Sequence, residues 1–312
     1  MVDVAVSQMT SARWDLVDDV AMARALGFDA VALWRPKVSD MGAAAAGRLL
    51  ATSGIRASSL QWVGGFTGGD GRSFAESVDD ALEALAMAEA VAAPVLVVHG
   101  GCRAGHTRSH AQRLLTQALE ILAPEAARAD VTLAVKPMHP TDTGGCGFLA
   151  DLADAVAFVE RIDDPAVRLA LDLWHFADDP ALVSQLGTLV GRLAAVTAVV
   201  QVADRCGPPV AGADRLPIGL GELPLEAAVA DLVAAGYAGP VECDPVGEMV
   251  ELLGYDGVWR ETRLVADAWG ARRMAEGVAL PRSAARPGSD HFRAAGAGIR
   301  KSHASSHSGS AG

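Results

Sequence analysis

A lysine ends a short apolar stretch in the middle of the chain and could do chemistry there. Leu133–Pro140 reads as a buried strand that stops at a proline, with Lys136 near its end and His139 three residues later. Burying an ammonium group is costly unless it has partners or a role. Only three lysines occur in the chain (Lys37, Lys136 and Lys301), and lysine, unlike arginine, can lose its proton. Lys136 could polarise a carbonyl, carry a proton or form a Schiff base, all of which suit chemistry alpha to a carbonyl.

Polar and aromatic side chains also end the other apolar stretches of the chain. His139, His175, Glu242 and Asp244 are candidate acid/base partners of the lysine. Because side chains alternate along a strand, Glu242 and Asp244 share a face and Cys243 takes the opposite one. Three tryptophans at such ends, Trp34, Trp62 and Trp174, could stack on a ring face of a substrate or pack as part of the hydrophobic core. The full set of candidates is Trp34, Trp62, His99, Lys136, His139, Asp172, Trp174, His175, Gln201, Glu242 and Asp244.

The elements that must position these residues alternate between strands and helices. Eight short apolar strands separated by helical segments predict a single closed (β/α)8 TIM barrel over residues 1–276, whose active site lies at the carboxyl ends of the strands. An open doubly wound sheet is the alternative, but the first turn lacks its glycines. Residues 277–312 have no periodicity and are predicted to be a disordered tail. The predicted strands are Val2–Ser7, Ala30–Trp34, Ile55–Trp62, Pro94–His99, Val131–Lys136, Val167–Asp172, Val196–Ala203 and Pro240–Asp244.

Composition limits the kinds of partner. The chain has 312 residues, is 51% hydrophobic and carries a formal net charge of −12. Nucleic acids and anionic membranes both favour basic surfaces, so the expected partner is a small molecule. Without a signal peptide or a long uncharged apolar run we expect a cytoplasmic protein, and homodimerisation remains open. The four cysteines form no CxxC pair and are expected to be reduced thiols.

Several segments resemble the xylose isomerase-like TIM barrels, the sugar phosphate isomerase/epimerase superfamily. The resemblance runs from about Val2 to Ala275, and its most specific parts are the Asp172 strand end and the Arg215 loop. It implies one divalent metal on four strand-end ligands, together with carboxylates that move a proton next to a sugar carbonyl. The segments that carry it are Trp34–Lys37, Val131–Pro140, Leu171–His175, Val200–Asp204, Arg215–Glu222 and Gly236–Pro240.

Three of the implied metal-ligand positions differ from the family pattern. Asp172 is retained, whereas Asp244 stands for a glutamate, Gln201 for a histidine and Lys136 for a glutamate. An ammonium within a few ångströms of a dication is strongly repelled. We therefore predict no catalytic metal, with Lys136 taking its place between Asp172 and Asp244. If Mn²⁺, Mg²⁺ or Zn²⁺ does bind, Asp172, Gln201 and Asp244 are the expected ligands.

The predicted function is that of an isomerase/epimerase-like enzyme that transfers protons alpha to a carbonyl of a small sugar, polyol or keto compound. The alternatives are a conventional metal-dependent isomerase/epimerase, a lyase, dehydratase or cyclase that reuses the barrel, and a non-catalytic ligand-binding barrel. The predicted catalytic residues are Lys136, Asp172, His175, Glu242 and Asp244. The predicted substrate-binding residues are Trp34, Trp62, His99, His139, Trp174, Gln201 and Arg215.

Overall fold

The protein folds into a closed barrel of eight parallel strands. The computed structural model describes residues 3–141, 147–178 and 189–275. Each strand pairs with the next one along the chain, and β8 closes the barrel by pairing with β1. The predicted fold class is confirmed, with strand bounds within two residues of those expected. The strands are β1 (Val4–Ser7), β2 (Ala30–Trp34), β3 (Arg56–Val63), β4 (Val95–His99), β5 (Thr132–Lys136), β6 (Val167–Asp172), β7 (Thr197–Val202) and β8 (Val241–Cys243).

Helices follow the strands and cover the outside of the barrel. Three of them, α2, α7 and α10, were not predicted, because each is too short to show a helical repeat in the sequence. Two of these, α2 and α7, begin directly at strand ends that carry candidate site residues. The described helices are α1 (Leu16–Leu26), α2 (Arg35–Met41), α3 (Ala43–Ser53), α4 (Phe74–Ala90), α5 (Arg108–Arg128), α6 (Leu152–Ile162), α7 (Leu173–Phe176), α8 (Leu189–Val196), α9 (Leu225–Ala234), α10 (Glu248–Leu253) and α11 (Tyr255–Ala275).

Local signals fix where the longer helices begin and end. Asp15 caps α1 by accepting a hydrogen bond from the backbone of Asp18, and Gly27 ends it in the left-handed conformation that glycine tolerates best. Ser73 and Glu76 form a reciprocal capping box at the start of α4. Asp15 and Ser73 thus set the points at which the loops after β1 and β3 enter their helices.

The core has two parts that differ in side-chain size. Large apolar side chains, including Leu60, Leu96 and Trp259, fill the layer between the strands and the helices. Inside the barrel a smaller cluster packs together, made of Val95, Val97, Ala134, Ala170 and Val199. Because side chains alternate along each strand, the residues two positions beyond this inner cluster also point inward. These residues are His99, Lys136, Asp172 and Gln201.

Some expectations are corrected and others fall outside the described residues. Cys102 is disulfide-bonded, contrary to the prediction of reduced thiols, while Cys206 and Cys243 are free. Residues 277–312, predicted to be a disordered tail, lie outside the described part, as does most of the helix expected over Pro180–Gly191. No helix within the described ranges is both long and apolar enough to span a membrane.

Candidate active site

The inward-facing side chains at the carboxyl ends of β4 to β8 form one continuous row. His99 is paired in register with Lys136 across β4 and β5. Asp172 is paired with Gln201 across β6 and β7, and Gln201 with Glu242 across β7 and β8. The barrel mouth therefore brings together five of the residues that the sequence proposed.

Lys136 lies at the centre of this row and is only 6% exposed. Its Nζ is 2.7 Å from Asp172 Oδ2, and it donates a hydrogen bond of 2.7 Å to Gln201 Oε1. The predicted pairing with Asp172 is thus present. The predicted pairing with Asp244 is wrong, because Asp244 instead forms its ion pair with Arg215, while Gln201 supplies the second acceptor for the lysine.

Arg215 joins the two aspartates of the mouth. Its Nη2 is 2.9 Å from Asp172 Oδ2 and 3.4 Å from Asp244 Oδ2, and its Nε donates to the backbone oxygen of Asp244 at 3.0 Å. The guanidinium also lies over the Trp174 ring, 5.1 Å from the centroid. A backbone bridge between Arg215 and Val246 anchors the loop that carries the arginine. Arg215 is therefore a fixed part of the site.

The two aspartates differ in whether both of their side-chain oxygens have partners in the protein. Burial alone would raise the pKa of Asp172, but Arg215 and Lys136 together hold that pKa far below its ordinary value. Asp172 also caps α7 by accepting from the backbone of Trp174 at 3.0 Å. Asp244 is 3% exposed, and within the described residues its buried Oδ1 has no hydrogen-bond partner. Asp244 thus has an unused acceptor at the barrel mouth.

Glu242 is completely buried and is surrounded by donors. Its Oε1 accepts from Ser58 Oγ at 2.7 Å, and its Oε2 accepts from Gln201 Nε2 at 3.1 Å and Gln61 Nε2 at 3.3 Å. Burial raises the pKa of Glu242, and these hydrogen bonds offset the rise in part. Since the amide nitrogen of Gln201 faces Glu242, its amide oxygen faces Lys136.

Two of the three candidate histidines at the mouth are held in the neutral form. Burial lowers the pKa of His99 to about 3, and the positive charge of Lys136 adds to this effect. Burial likewise lowers the pKa of His175 to about 3, although Asp172, 3.7 Å from its Nε2, acts in the opposite direction. His139 is half-buried, and its Nδ1 is 2.7 Å from Thr141 Oγ1.

The three predicted tryptophans lie in different environments. Trp62 is 41% exposed and stacks on His99, with ring centroids 4.6 Å apart and an angle of 11° between the planes. Trp174 is buried beneath Arg215, and its ring meets His175 edge to face. Trp34 is half-buried, and its backbone nitrogen donates to Gln8 Oε1 at 2.9 Å. Of the three, Trp62 offers the most open ring surface.

Ser58, Gln8 and Gln61 contribute to the site but were not among the predicted residues. Ser58 and Gln61 hold Glu242 from β3, and Gln8 holds the end of β2 from the loop after β1. Gln61 follows the same signal as Gln201, a polar side chain at the inward end of a strand. Ser58 reaches Glu242 because the register shifts between β2 and β3, which cannot be read from the sequence.

The residues at the centre do not fit a divalent metal. Among the residues that the structure describes, no group of three or more histidine, cysteine, aspartate or glutamate side chains is arranged to hold one. The space between Asp172 and Gln201, two of the expected ligands, is taken by the Lys136 ammonium at 2.7 Å from each. A dication there would meet a positive charge, and the lysine would have to leave both acceptors.

Solved structures of low sequence identity share this fold. A protein from Sinorhizobium meliloti 1021 is 24% identical, with a TM-score of 0.72 over 87% of this chain and 98% of that one. An L-ribulose 3-epimerase is 17% identical, with a TM-score of 0.70 over 91% of this chain and 100% of that one. The IolI protein, solved with a zinc atom bound, is 16% identical, with a TM-score of 0.72 over 90% of this chain and 100% of that one.

Comparison at the level of sequence gives two results. No curated protein gives a significant match. The family described as xylose isomerase-like TIM barrel matches residues 20–263. These residues include every strand from β2 to β8 and the row of side chains at the barrel mouth. The chain therefore belongs to the xylose isomerase-like TIM barrel family.

Proposed function

We propose that the protein is an isomerase/epimerase-like enzyme that moves a proton alpha to the carbonyl of a small sugar, polyol or keto compound, with Lys136 in place of a metal. The observation that carries the proposal is the position of the Lys136 Nζ, 2.7 Å from both Asp172 Oδ2 and Gln201 Oε1. Membership of the family and its likeness to an L-ribulose 3-epimerase support this class of reaction.

Lys136 stabilises the negative charge that develops on the substrate oxygen. An ammonium has three N–H donors, and two of them are directed at Asp172 and Gln201. The third can donate to a substrate carbonyl, which becomes an enolate oxygen when the neighbouring carbon loses its proton. A cation fixed by two acceptors in a site that excludes water needs little reorganisation during the reaction.

Asp244 is the base that accepts the proton. Its Oδ1 is buried without a partner in the described part of the chain, and its Oδ2 is held by Arg215. Asp172 is a poor base, because Arg215 and Lys136 hold its pKa far below the ordinary value. Return of the proton to the same carbon gives an epimer. Its return to the neighbouring carbon of the enediol, with transfer of the hydroxyl proton to the former carbonyl oxygen, gives an isomer.

The remaining residues orient the substrate. His99 and His175 are neutral imidazoles that can exchange hydrogen bonds with hydroxyl groups, since burial lowers the pKa of each to about 3. The open face of Trp62 suits the C–H face of a sugar or polyol. Gln201 and Glu242 hold the lysine in place, and no step passes through a metal ion.

Exchange of the substrate alpha proton in D₂O tests the proposal. Dihydroxyacetone, D-ribulose and D-fructose would be incubated with the purified enzyme and followed by proton NMR. We expect exchange with at least one of these ketoses at the same rate with and without EDTA. Loss of exchange in EDTA and its recovery with Mn²⁺, Mg²⁺ or Zn²⁺ would instead identify a conventional metal-dependent enzyme.

Borohydride separates the proposed role of Lys136 from covalent catalysis. The proposed mechanism keeps the lysine as a cation, so reduction in the presence of ketose should add no mass to the protein. A borohydride-stable adduct on Lys136 would contradict the mechanism and favour a Schiff-base lyase or dehydratase.

A further inference from the structure

We infer that the substrate is electroneutral and carries neither phosphate nor carboxylate. The inference rests on the proposed function, and it concerns the charge of the molecule on which that site acts. It follows from the distribution of charge around the mouth, where each described cation is already engaged by the protein.

The centre of the site has no surplus positive charge. Lys136 and Arg215 are its cations, and Asp172 and Asp244 are the carboxylates paired with them. Glu242, whose Oε2 accepts a hydrogen bond from Gln201, is either neutral or negatively charged. An anionic substrate would therefore meet a balanced or negative site.

The rim of the mouth is balanced in the same way. Arg35 pairs with Asp80 at 2.8 Å, and Arg72 pairs with Asp70 at 2.6 Å and with Asp80 at 2.8 Å. The two arginines also donate to the backbone oxygens that flank the end of β3, which fixes the segment that carries Trp62. The other cations that follow the strands are engaged too: Arg13 with Glu251, Lys37 with Asp19, Arg108 with Asp154 and Arg205 with Asp178, while Arg103 also has an interaction partner.

The two internal gaps in the described residues bring no further cation, because the sequence of residues 142–146 and 179–188 contains neither lysine nor arginine. A phosphate group is normally bound by arginine or lysine side chains free to give charge-assisted hydrogen bonds. At the centre of the site a phosphate would have to displace Asp172 or Asp244 from a buried ion pair, which leaves a charge without a partner. The described part of the site thus disfavours anions.

What the site offers instead matches a neutral polyhydroxylated molecule. Asp244 Oδ1 is a buried acceptor without a partner in the described residues, and a hydroxyl group can donate to it. Trp62, which stacks on His99, presents an open ring at the mouth. Hydroxyl donors and a C–H face are the complement of these two features.

Matched pairs of ligands that differ only in a phosphate test the inference. Calorimetric titration at pH 8, where an imidazole of ordinary pKa is mostly uncharged, would compare D-fructose with D-fructose 6-phosphate and D-ribulose with D-ribulose 5-phosphate. Inorganic phosphate would be titrated separately. We expect the neutral sugar of each pair to bind at least about tenfold more tightly, and inorganic phosphate not to bind.

Asp244→Asn supplies the decisive comparison, because it removes one negative charge beside Arg215. This variant should gain affinity for inorganic phosphate, whereas Asp267→Asn, which makes the same charge change beside Arg263 on α11, should not. Equal or tighter binding of a sugar phosphate, or binding of inorganic phosphate to the unaltered protein, would overturn the inference. If the neutral ketose binds but its alpha proton does not exchange, the proposed function fails while the charge preference stands.

Discussion

Two buried lysine–aspartate pairs lie in this barrel, and they differ in what surrounds them. Lys37 Nζ is 2.6 Å from Asp19 Oδ2 and donates to the Ser11 backbone oxygen at 2.8 Å, while Ser11 Oγ donates to Asp19 Oδ1 at 2.5 Å. This group closes on itself and joins the loop after β1 to α1 and α2. The pair formed by Lys136 and Asp172 is instead part of a row that ends at the barrel mouth.

The two aspartates respond differently to burial. Burial raises the pKa of Asp19 to about 6, and Lys37 lowers it only in part. The pKa of Asp172 moves the other way, because Arg215 and Lys136 together outweigh its burial. Asp19 has one cation beside it and Asp172 has two, which accounts for the opposite directions of the two pKa shifts. We read the first pair as a structural brace and the second as the working centre.

The largest expected effect is a loss of stability when the brace formed by Lys37 and Asp19 is broken. Lys37→Met leaves a buried Asp19 without its cation, and breaking a buried pair in this way costs about 3–5 kcal/mol of the free energy of unfolding. Because Lys37 contacts no residue of the mouth row, kcat of the folded fraction should change little. Chemical denaturation monitored by circular dichroism measures the first effect, and alpha-proton exchange at low temperature measures the second.

The matching substitution at the working centre, Lys136→Met, should lower kcat strongly and the free energy of unfolding only slightly. Lys136→Met removes the cation that stabilises the enolate oxygen, and we expect kcat to fall by about 10²- to 10³-fold. The free energy of unfolding should drop by only about 1–2 kcal/mol, since Asp172 keeps Arg215 as a partner. If Lys136→Met were as destabilising as Lys37→Met and left kcat unchanged, both pairs would be braces.

The third prediction separates the pairs by pH. The Asp19 carboxyl has its ordinary pKa of 3.8 in the unfolded chain and about 6 in the folded one, so between these values the folded state binds more protons. Stability from this group is complete below pH 3.8 and is lost as the pH rises through 6, by about 3 kcal/mol. The difference in the free energy of unfolding between the unaltered protein and Asp19→Asn should therefore shrink from pH 4 to 6.5.

Asp172→Asn is the control for that measurement. The pKa of Asp172 is lowered in the folded state, so its contribution is present above pH 3.8 and is lost only as the pH falls below that value. The difference between the unaltered protein and Asp172→Asn should be constant from pH 4 to 6.5. A slope in this second difference with none in the first would reverse the assignment of the two pairs.

The sequence predicted the working centre better than the brace. Lys136 stood out because a cation ended an apolar strand, and the resemblance to the family predicted its pairing with Asp172, which the structure contains. Lys37 was noted only as a residue near the end of β2, because α2 is too short to reveal which way its side chains point. A buried ion pair between Lys37 and Asp19, 18 residues apart, depends on how two helices pack, and no local pattern encodes that.

The contacts between side chains of different strands were the part of the site predicted least well. Asp244 was expected next to Lys136. The residue in register with Gln201 is instead Glu242, and Asp244, two residues further along the chain, lies next to Arg215. The stagger between neighbouring strands and the path of the Arg215 loop decide these contacts. Both depend on barrel closure, which strand lengths alone do not specify.

The smallest predicted effect concerns Glu242, which acts on the working centre only through Gln201. Glu242→Gln keeps the shape but removes the negative charge from the group to which Gln201 and Gln61 both donate, so the hydrogen bond that orients Gln201 is weakened. We expect kcat to fall by about tenfold with KM little changed, about the value of one hydrogen bond. Steady-state kinetics of alpha-proton exchange would measure both constants.

Adding Gln201→Glu to Glu242→Gln tests whether the effect passes through the lysine. A carboxylate at position 201 can accept from Lys136 on one side and from the new amide on the other, so kcat should recover relative to Glu242→Gln alone. If Glu242→Gln lowered kcat as much as Lys136→Met and the second change did not restore it, Glu242 would touch the reacting atoms itself. The working centre would then extend one residue deeper into the barrel, and Gln201 would be a bridge between two catalytic groups.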